Sequence, residues 1–225
     1  MRLLFVGCEY AGTTTLANGI DGWAREALGS GLGLIHDHWK IPHTSGHPDN
    51  TTPEEQEMLL ALGPKLLEMH QRHSLYYHSP KGSAPETDGV LIGYHIEDTI
   101  YARLIFGYGG EGSAGNRTVH SKVIEHLLLQ HVPETVLVHV KATPEAIKQR
   151  MKENPHAHAL VNEDNVDLVL QAFDEAVRHS AIGKRIELDT SSSTVDESVA
   201  ELVQKMEPNW TQRDQVRLIR HQLGR

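Results

Sequence analysis

The chain has 225 residues, 39% of them apolar and 23% charged, with a formal charge of −9 and one cysteine. That length fits one domain with room for a lid and buries an α/β core without cross-links. A lone Cys8 excludes a disulfide framework and a cysteine zinc site and points to a reducing, cytoplasmic setting, while the acidic balance argues against broad affinity for nucleic acid.

The opening "MRLLFVGCEY" holds four consecutive apolar residues before Gly7, too few for a signal peptide or a membrane span. In chain order, "RLLFV" (2–6), "LGLIH" (32–36), "GVLIGY" (89–94), "VLVHV" (136–140) and "RIELD" (185–189) are short, β-rich apolar runs and read as buried strands. Helical patterns lie between them, at about 13–28, 53–73, 97–106, 118–131, 143–153, 162–179, 194–206 and 211–222. Thr52 with Pro53, and Thr143 with Pro144, are helix starts. Pro64 should kink or break the helix that it interrupts. "SPKGSAPETDG" (79–89) and the glycine-rich "GYGGEGSAGNRT" (107–118) read as loops. Alternating strands and helices predict an α/β fold in three layers, a central five-stranded, mostly parallel sheet with helices on both faces. Ligands of such folds sit beyond the carboxyl ends of the strands. The tail, 207–225, reads as an amphipathic helix whose stripe Val216, Ile219 and Leu223 packs on the domain or on a second subunit, making a homodimer.

After the first strand the chain reads Gly7, Cys8, Glu9, Tyr10, Ala11, Gly12, Thr13, Thr14, Thr15. A phosphate-binding loop has glycine, four residues, glycine, lysine, then serine or threonine. Gly7 and Gly12 match, Thr14 matches the hydroxyl that ligates magnesium, and Thr13 stands in place of lysine. Converging backbone N–H groups and the positive end of the next helix survive, but the point charge for the outer phosphates is lost. Glu9 adds a negative charge where phosphate would sit. The competing reading is a strand-to-helix turn with no ligand.

This loop, with "VLVHVKATPEAIKQRMKEN", "NEDNVDLVLQAFDEAV" and "KRIELDTSSSTVDESVAELVQKM", resembles the P-loop nucleoside and nucleotide kinases, the thymidylate kinase and deoxynucleoside kinase group. The likeness covers residues 1–206 and implies a P-loop NTPase fold with a lid at about 148–163, ATP and magnesium as cofactors, and a nucleoside or nucleoside monophosphate as partner. It makes Gly7, Ala11, Gly12, Thr13, Thr14 and Thr15 cofactor-binding, with Lys148, Arg150 and Lys152 as lid cations. Arg150 is the candidate to replace the missing lysine and is counted as catalytic.

The second strand runs into "HDHWKIPHTSGH", where the resemblance places an acid near the acceptor hydroxyl. Asp37 takes that role, Trp39 would stack on a base and Lys40 would hold substrate. His36, His38, His43 and His47 leave a metal site open as an alternative, and drift on a solvated surface as the plain one. After the third strand, "YHIEDTIYARLIF" offers Glu97 as a catalytic carboxylate, Asp98 as a magnesium ligand and Arg103 as a substrate contact. Acids also favour any first helical turn. Arg72, in "EMHQRH", is a further acceptor contact. Three functions fit: an ATP-dependent phosphotransferase, a nucleotide-binding sensor without catalysis, and a sulfotransferase-like enzyme, whose "SGTT" loop "AGTTTL" also resembles.

Overall fold

The computed structural model describes residues 1–37, 52–80, 88–113, 115–156 and 158–224, with the side chains of 34–37 left aside. Strand β1 (Arg2–Val6) leads into helix α1 (Thr13–Leu28), and β2 (Leu34–Asp37) follows. Helices α2 (Pro53–Leu60) and α3 (Pro64–Tyr77) precede β3 (Gly89–Ile92). Then come α4 (Tyr94–Leu104), α5 (Arg117–His131), β4 (Val136–Lys141), α6 (Pro144–Glu153), α7 (Val166–His179), β5 (Arg185–Asp189), α8 (Val195–Met206) and α9 (Gln212–Gln222).

The sheet is five-stranded, in the order β2-β3-β1-β4-β5, and each pairing is parallel. β1 and β4 are buried almost throughout, as strands covered on both faces must be, whereas the edge strand β5 alternates exposed and buried residues. Helices α1, α8 and α9 pack together, as do α4, α5 and α7, giving a helical layer on each side. The main core cluster runs from Leu3–Val6 through Ile20, Val138 and Phe173 to Leu202, and a small second one joins Leu67, Ala102 and Tyr108. No described helix is long and apolar enough to cross a membrane.

Local chemistry sets the boundaries. The segment expected as one helix over 53–73 is two, because Pro64 starts α3 afresh. α2 keeps its capping box, in which the Thr52 hydroxyl accepts from the Glu55 N–H and the Glu55 carboxylate from the Thr52 N–H. The third strand stops at Ile92 and its helix begins at Tyr94, because Gly93 (φ 76°) and Tyr94 (φ 49°) turn the chain there. The seventh helix starts at Val166 rather than 162, since the Asn162 side chain accepts from the N–H groups of Asp164 and Asn165 and makes a turn first.

The tail helix docks by a face other than the expected stripe. Val216, Ile219 and Leu223 are exposed, while Asp214 is buried and Leu218 packs on the core. The anchor is ionic: Asp214 and Asp88 both meet the Met1 ammonium, and Arg217 pairs with Asp88.

Candidate nucleotide-binding site

The loop between β1 and α1 is shaped by what surrounds it. A Cβ on Gly7 would lie 2.4 Å from the Val140 carbonyl oxygen, so only glycine lets the chain pass the end of β4. Ala11 N–H donates to Cys8 O at 2.9 Å, closing a tight turn with Tyr10 (φ 68°) and Gly12 (φ 95°) both left-handed. For tyrosine that conformation costs roughly 1–2 kcal/mol, so other contacts must hold it. α1 then begins with no side-chain cap. Its first-turn N–H groups have no acceptor within the helix, and residues Thr13–Leu16 face a cavity of about 560 Å³.

Four elements tie the loop down from behind. Arg150 of α6 donates from Nη1 to Tyr10 O (3.0 Å), Ala11 O (3.4 Å) and Thr190 Oγ1 (3.2 Å), and from Nη2 to Thr190 O. Thr190, just after β5, reaches Ala11 O with its own hydroxyl at 2.7 Å. Tyr101 of α4 accepts from Glu9 N–H at 3.3 Å. The Glu9 carboxylate accepts from Leu160 N–H at 2.8 Å, Val161 N–H at 3.1 Å and His156 Nδ1 at 3.0 Å. The carbonyls of Tyr10 and Ala11 are taken up by Arg150 and Thr190, and Thr13–Thr15 at the start of α1 line the cavity, where the N–H groups of a helix start suit anions.

Ile92, Glu97 and Tyr101 also line the cavity, with Thr190, Ser193, Thr194, Val195 and Ser198. Glu97 folds back over the end of β3 because Gly93 leaves room, since a Cβ there would sit 2.4 Å from Glu97 Oε2. Burial, with the charges of Glu9 and Glu97, pushes the Cys8 thiol far up and keeps it unreactive. Burial likewise raises Tyr101, joined by Cys8, Glu97 and Glu9.

Of the residues singled out from sequence, Gly7, Ala11, Gly12, Thr13, Thr14, Thr15, Glu97 and Arg150 meet at this cavity. The backbone of Asp37 pairs with Ile92 at the end of β2. Trp39, Lys40, His38, His43 and His47 lie outside the described residues.

Others are placed elsewhere. Asp98 is no metal ligand in this arrangement. It is buried against Arg117, whose Nε lies 2.5 Å from its Oδ2, and it accepts from Tyr108 Oη at 2.9 Å. Arg117 also binds Glu68, and Arg72 is taken by the same Glu68 at 2.9 Å, away from the cavity. Arg103 is exposed at the end of α4. Lys148 and Lys152 lie two residues either side of Arg150, hence on another face of α6, and Lys152 pairs with Glu163. None of these lines the cavity. Sequence reasoning missed Tyr101, His156 and Thr190, and read Glu9 only as an unwanted charge.

No protein-family model matches the chain, and no curated protein matches its sequence. Solved structures do match in shape. The YorR protein from Bacillus subtilis, solved in complex with phosphorylated GDP, superposes with a TM-score of 0.59 at 11% identity, over 94% of this chain and 99% of that one. Thymidylate kinase from Candida albicans gives 0.58 at 16% identity, over 92% and 91%. Deoxyadenosine kinase from M. mycoides, with bound dATP, gives 0.57 at 12%, over 92% and 99%. The fold is that of a P-loop kinase. In this chain, with that fold, the loop Gly7–Thr15 follows the first strand and opens the first helix.

Proposed function

We propose that the chain is an ATP-dependent phosphotransferase acting on a nucleoside or nucleoside monophosphate in the cytoplasm, with the donor phosphates held by Gly7–Thr15. One observation carries this reading: the uncapped start of α1 opens onto a 560 Å³ cavity that Glu97 also lines. Phosphoryl transfer depends on positioning and electrostatic stabilisation, and an anion cradle facing an acid supplies sites for both partners. Glu97 takes the acceptor hydroxyl proton, with Asp37 at the end of β2 as the second acid of the acceptor side. Arg150 holds the loop in shape. Trp39 and Lys40 contact the acceptor.

Magnesium fits the donor set, since the Thr14 hydroxyl and the Glu97 carboxylate at one cavity are oxygen ligands suited to a hard cation. When bound with the nucleotide, the ion would neutralise phosphate charge. The stripe Val216, Ile219 and Leu223, left exposed on α9, is the surface a second subunit would cover.

A non-catalytic nucleotide sensor is favoured by one observation of its own. The Arg150 guanidinium is engaged by loop carbonyls, so the cation closest to the lysine role is turned to structure. Calorimetric titration with ATP, GTP, ADP and a sulfated adenosine nucleotide, with and without magnesium, tests both readings. Magnesium-dependent triphosphate binding is expected. Transfer to a nucleoside or monophosphate then separates enzyme from sensor, tight binding of the sulfated nucleotide alone would favour sulfotransferase-like chemistry, and no binding at all refutes the site.

A further inference from the structure

We propose that Glu9 is a conditional charge: clasped by the 156–161 connection it is kept from the phosphate loop, and unclasped it stands against bound phosphate. This inference rests on the nucleotide-binding reading and adds a control of affinity to it.

The clasp is built from both sides. Glu9 Oε1 accepts from His156 Nδ1 at 3.0 Å, and Oε2 accepts from the N–H groups of Leu160 and Val161 at 2.8 and 3.1 Å. The next loop residue reinforces it, with the Tyr10 ring stacked on the His156 ring at 4.0 Å and 15°, and the His156 N–H donating to Tyr10 Oη at 3.1 Å. The Glu9 side chain is left 5% exposed, although the residue sits between two loop residues at the wall of the cavity.

A carboxylate at this point opposes the task of the loop. The N–H groups at the start of α1 attract anions, and no lysine at position 13 offsets a nearby negative charge. Glu97, which lines the same cavity, adds a like charge, and the raised Cys8 thiol feels both acids. Three donors on one carboxylate, two of them backbone, compensate its charge where it lies. Opening the connection withdraws all three at once and leaves two carboxylates lining an anion site. Linkage then works in both directions: making the contacts of His156, Leu160 and Val161 to Glu9 raises phosphate affinity, and bound phosphate favours those contacts by the same factor. A loop carrying its own lysine has no need of such a device.

A double-mutant cycle on the full chain tests this. His156→Gln removes the ring donor and the stack, and should weaken magnesium-ATP binding by about tenfold, less at high salt. Adding Glu9→Gln to that variant should restore most of the affinity, because no charge remains to be released. A purely structural latch predicts the opposite order, with the double variant at least as weak as His156→Gln alone, and that result overturns the proposal. Tyr10→Leu, which unlatches His156 from the other side, should give the same loss and the same recovery with Glu9→Gln. Hydrogen exchange reads the clasp without any nucleotide. The Leu160 and Val161 amides should be protected in the wild type and exchange faster in Glu9→Ala; equal rates overturn the clasp. Protected amides in a wild-type chain that binds no nucleotide overturn the functional reading, and the role of the clasp with it. Nucleotide binding without recovery in the double variant overturns the conditional charge alone.

Discussion

Arg150 offers a test that separates charge from shape. If it stands in for the missing lysine, its charge matters and Arg150→Lys should be tolerated. The structure assigns it a different task, a fork that draws Tyr10 O, Ala11 O and Thr190 O to one guanidinium. A hydrogen bond from a charged donor contributes roughly 1.5–3 kcal/mol when it is well buried. Arg150 is only half-buried, and loop and β5 relax together when it is lost, so we expect about 2–3 kcal/mol in all, or roughly 30- to 150-fold in nucleotide affinity. Arg150→Ala should therefore weaken binding itself, not merely turnover. Arg150→Lys should recover little of it, because an ammonium cannot present the planar fork that spans three carbonyls. Calorimetry with magnesium-ATP, alongside thermal melts to confirm folding, reads both variants. Near-wild-type affinity in Arg150→Lys would refute the reasoning and return Arg150 to the role of a diffuse positive charge.

Thr13→Lys, placing an ammonium at the loop position now held by a hydroxyl, should tighten triphosphate binding about tenfold; unchanged or weaker affinity by calorimetry would mean the loop does not hold phosphates as described. Gly7→Ala forces a Cβ to within 2.4 Å of Val140 O, and should destabilise the fold by roughly 1–3 kcal/mol in chemical denaturation, with loss of nucleotide binding. Asp98→Asn takes one of two carboxylate partners from the buried Arg117, leaving Glu68, and should cost roughly 1–3 kcal/mol of stability; a variant that keeps its stability but loses its magnesium requirement would restore Asp98 to the metal site. Burial opposes ionisation of Glu125, but His95, Ser180 Oγ and the Ala181 N–H prevail and hold its carboxyl below the usual range. A depressed folded-state value means stability fully present above the unfolded carboxylate range, near pH 4.5, and lost as pH falls through the folded value. The melting-temperature gap between wild type and Glu125→Gln should therefore narrow from pH 7 to pH 3.

What could be read in the sequence was local. The Pro64 break, the Thr143–Pro144 start of α6 and the Gly7–Gly12 frame of the loop each follow from backbone chemistry within a few residues. Helix phase was also readable but was not used. Ile147 is buried, so Arg150 three residues on faces inward, while Lys148 and Lys152 fall on another face. What failed depended on partners far along the chain. Asp98 resembles a helix-start acid until Arg117, reached across a glycine-rich loop, closes over it. Glu9 resembles a liability until the amides of Leu160 and Val161 arrive from about 150 residues away. Exposure decided the tail helix: its apolar stripe was visible in the spacing, but the buried Asp214 and its ion pair with the chain start were not.

In the reading we propose, threonine at position 13 changes where the loop's affinity for phosphate resides. A lysine is a local source of charge, and it works wherever its side chain reaches. Here the positive field comes from the N–H groups at the start of α1, whose aim depends on the backbone that leads into them. That backbone is held in an unfavourable turn at Tyr10 by contacts from α4, α6, the end of β5 and the 156–161 connection. In that reading affinity is distributed over residues that never touch phosphate. Changes at Arg150, Thr190 and Tyr10 should be strongly non-additive, since each loosens the same turn. In the background of Thr13→Lys the same changes should matter less, because a side-chain charge no longer depends on the turn for its aim. Equal losses in the two backgrounds would place the affinity outside the loop's geometry.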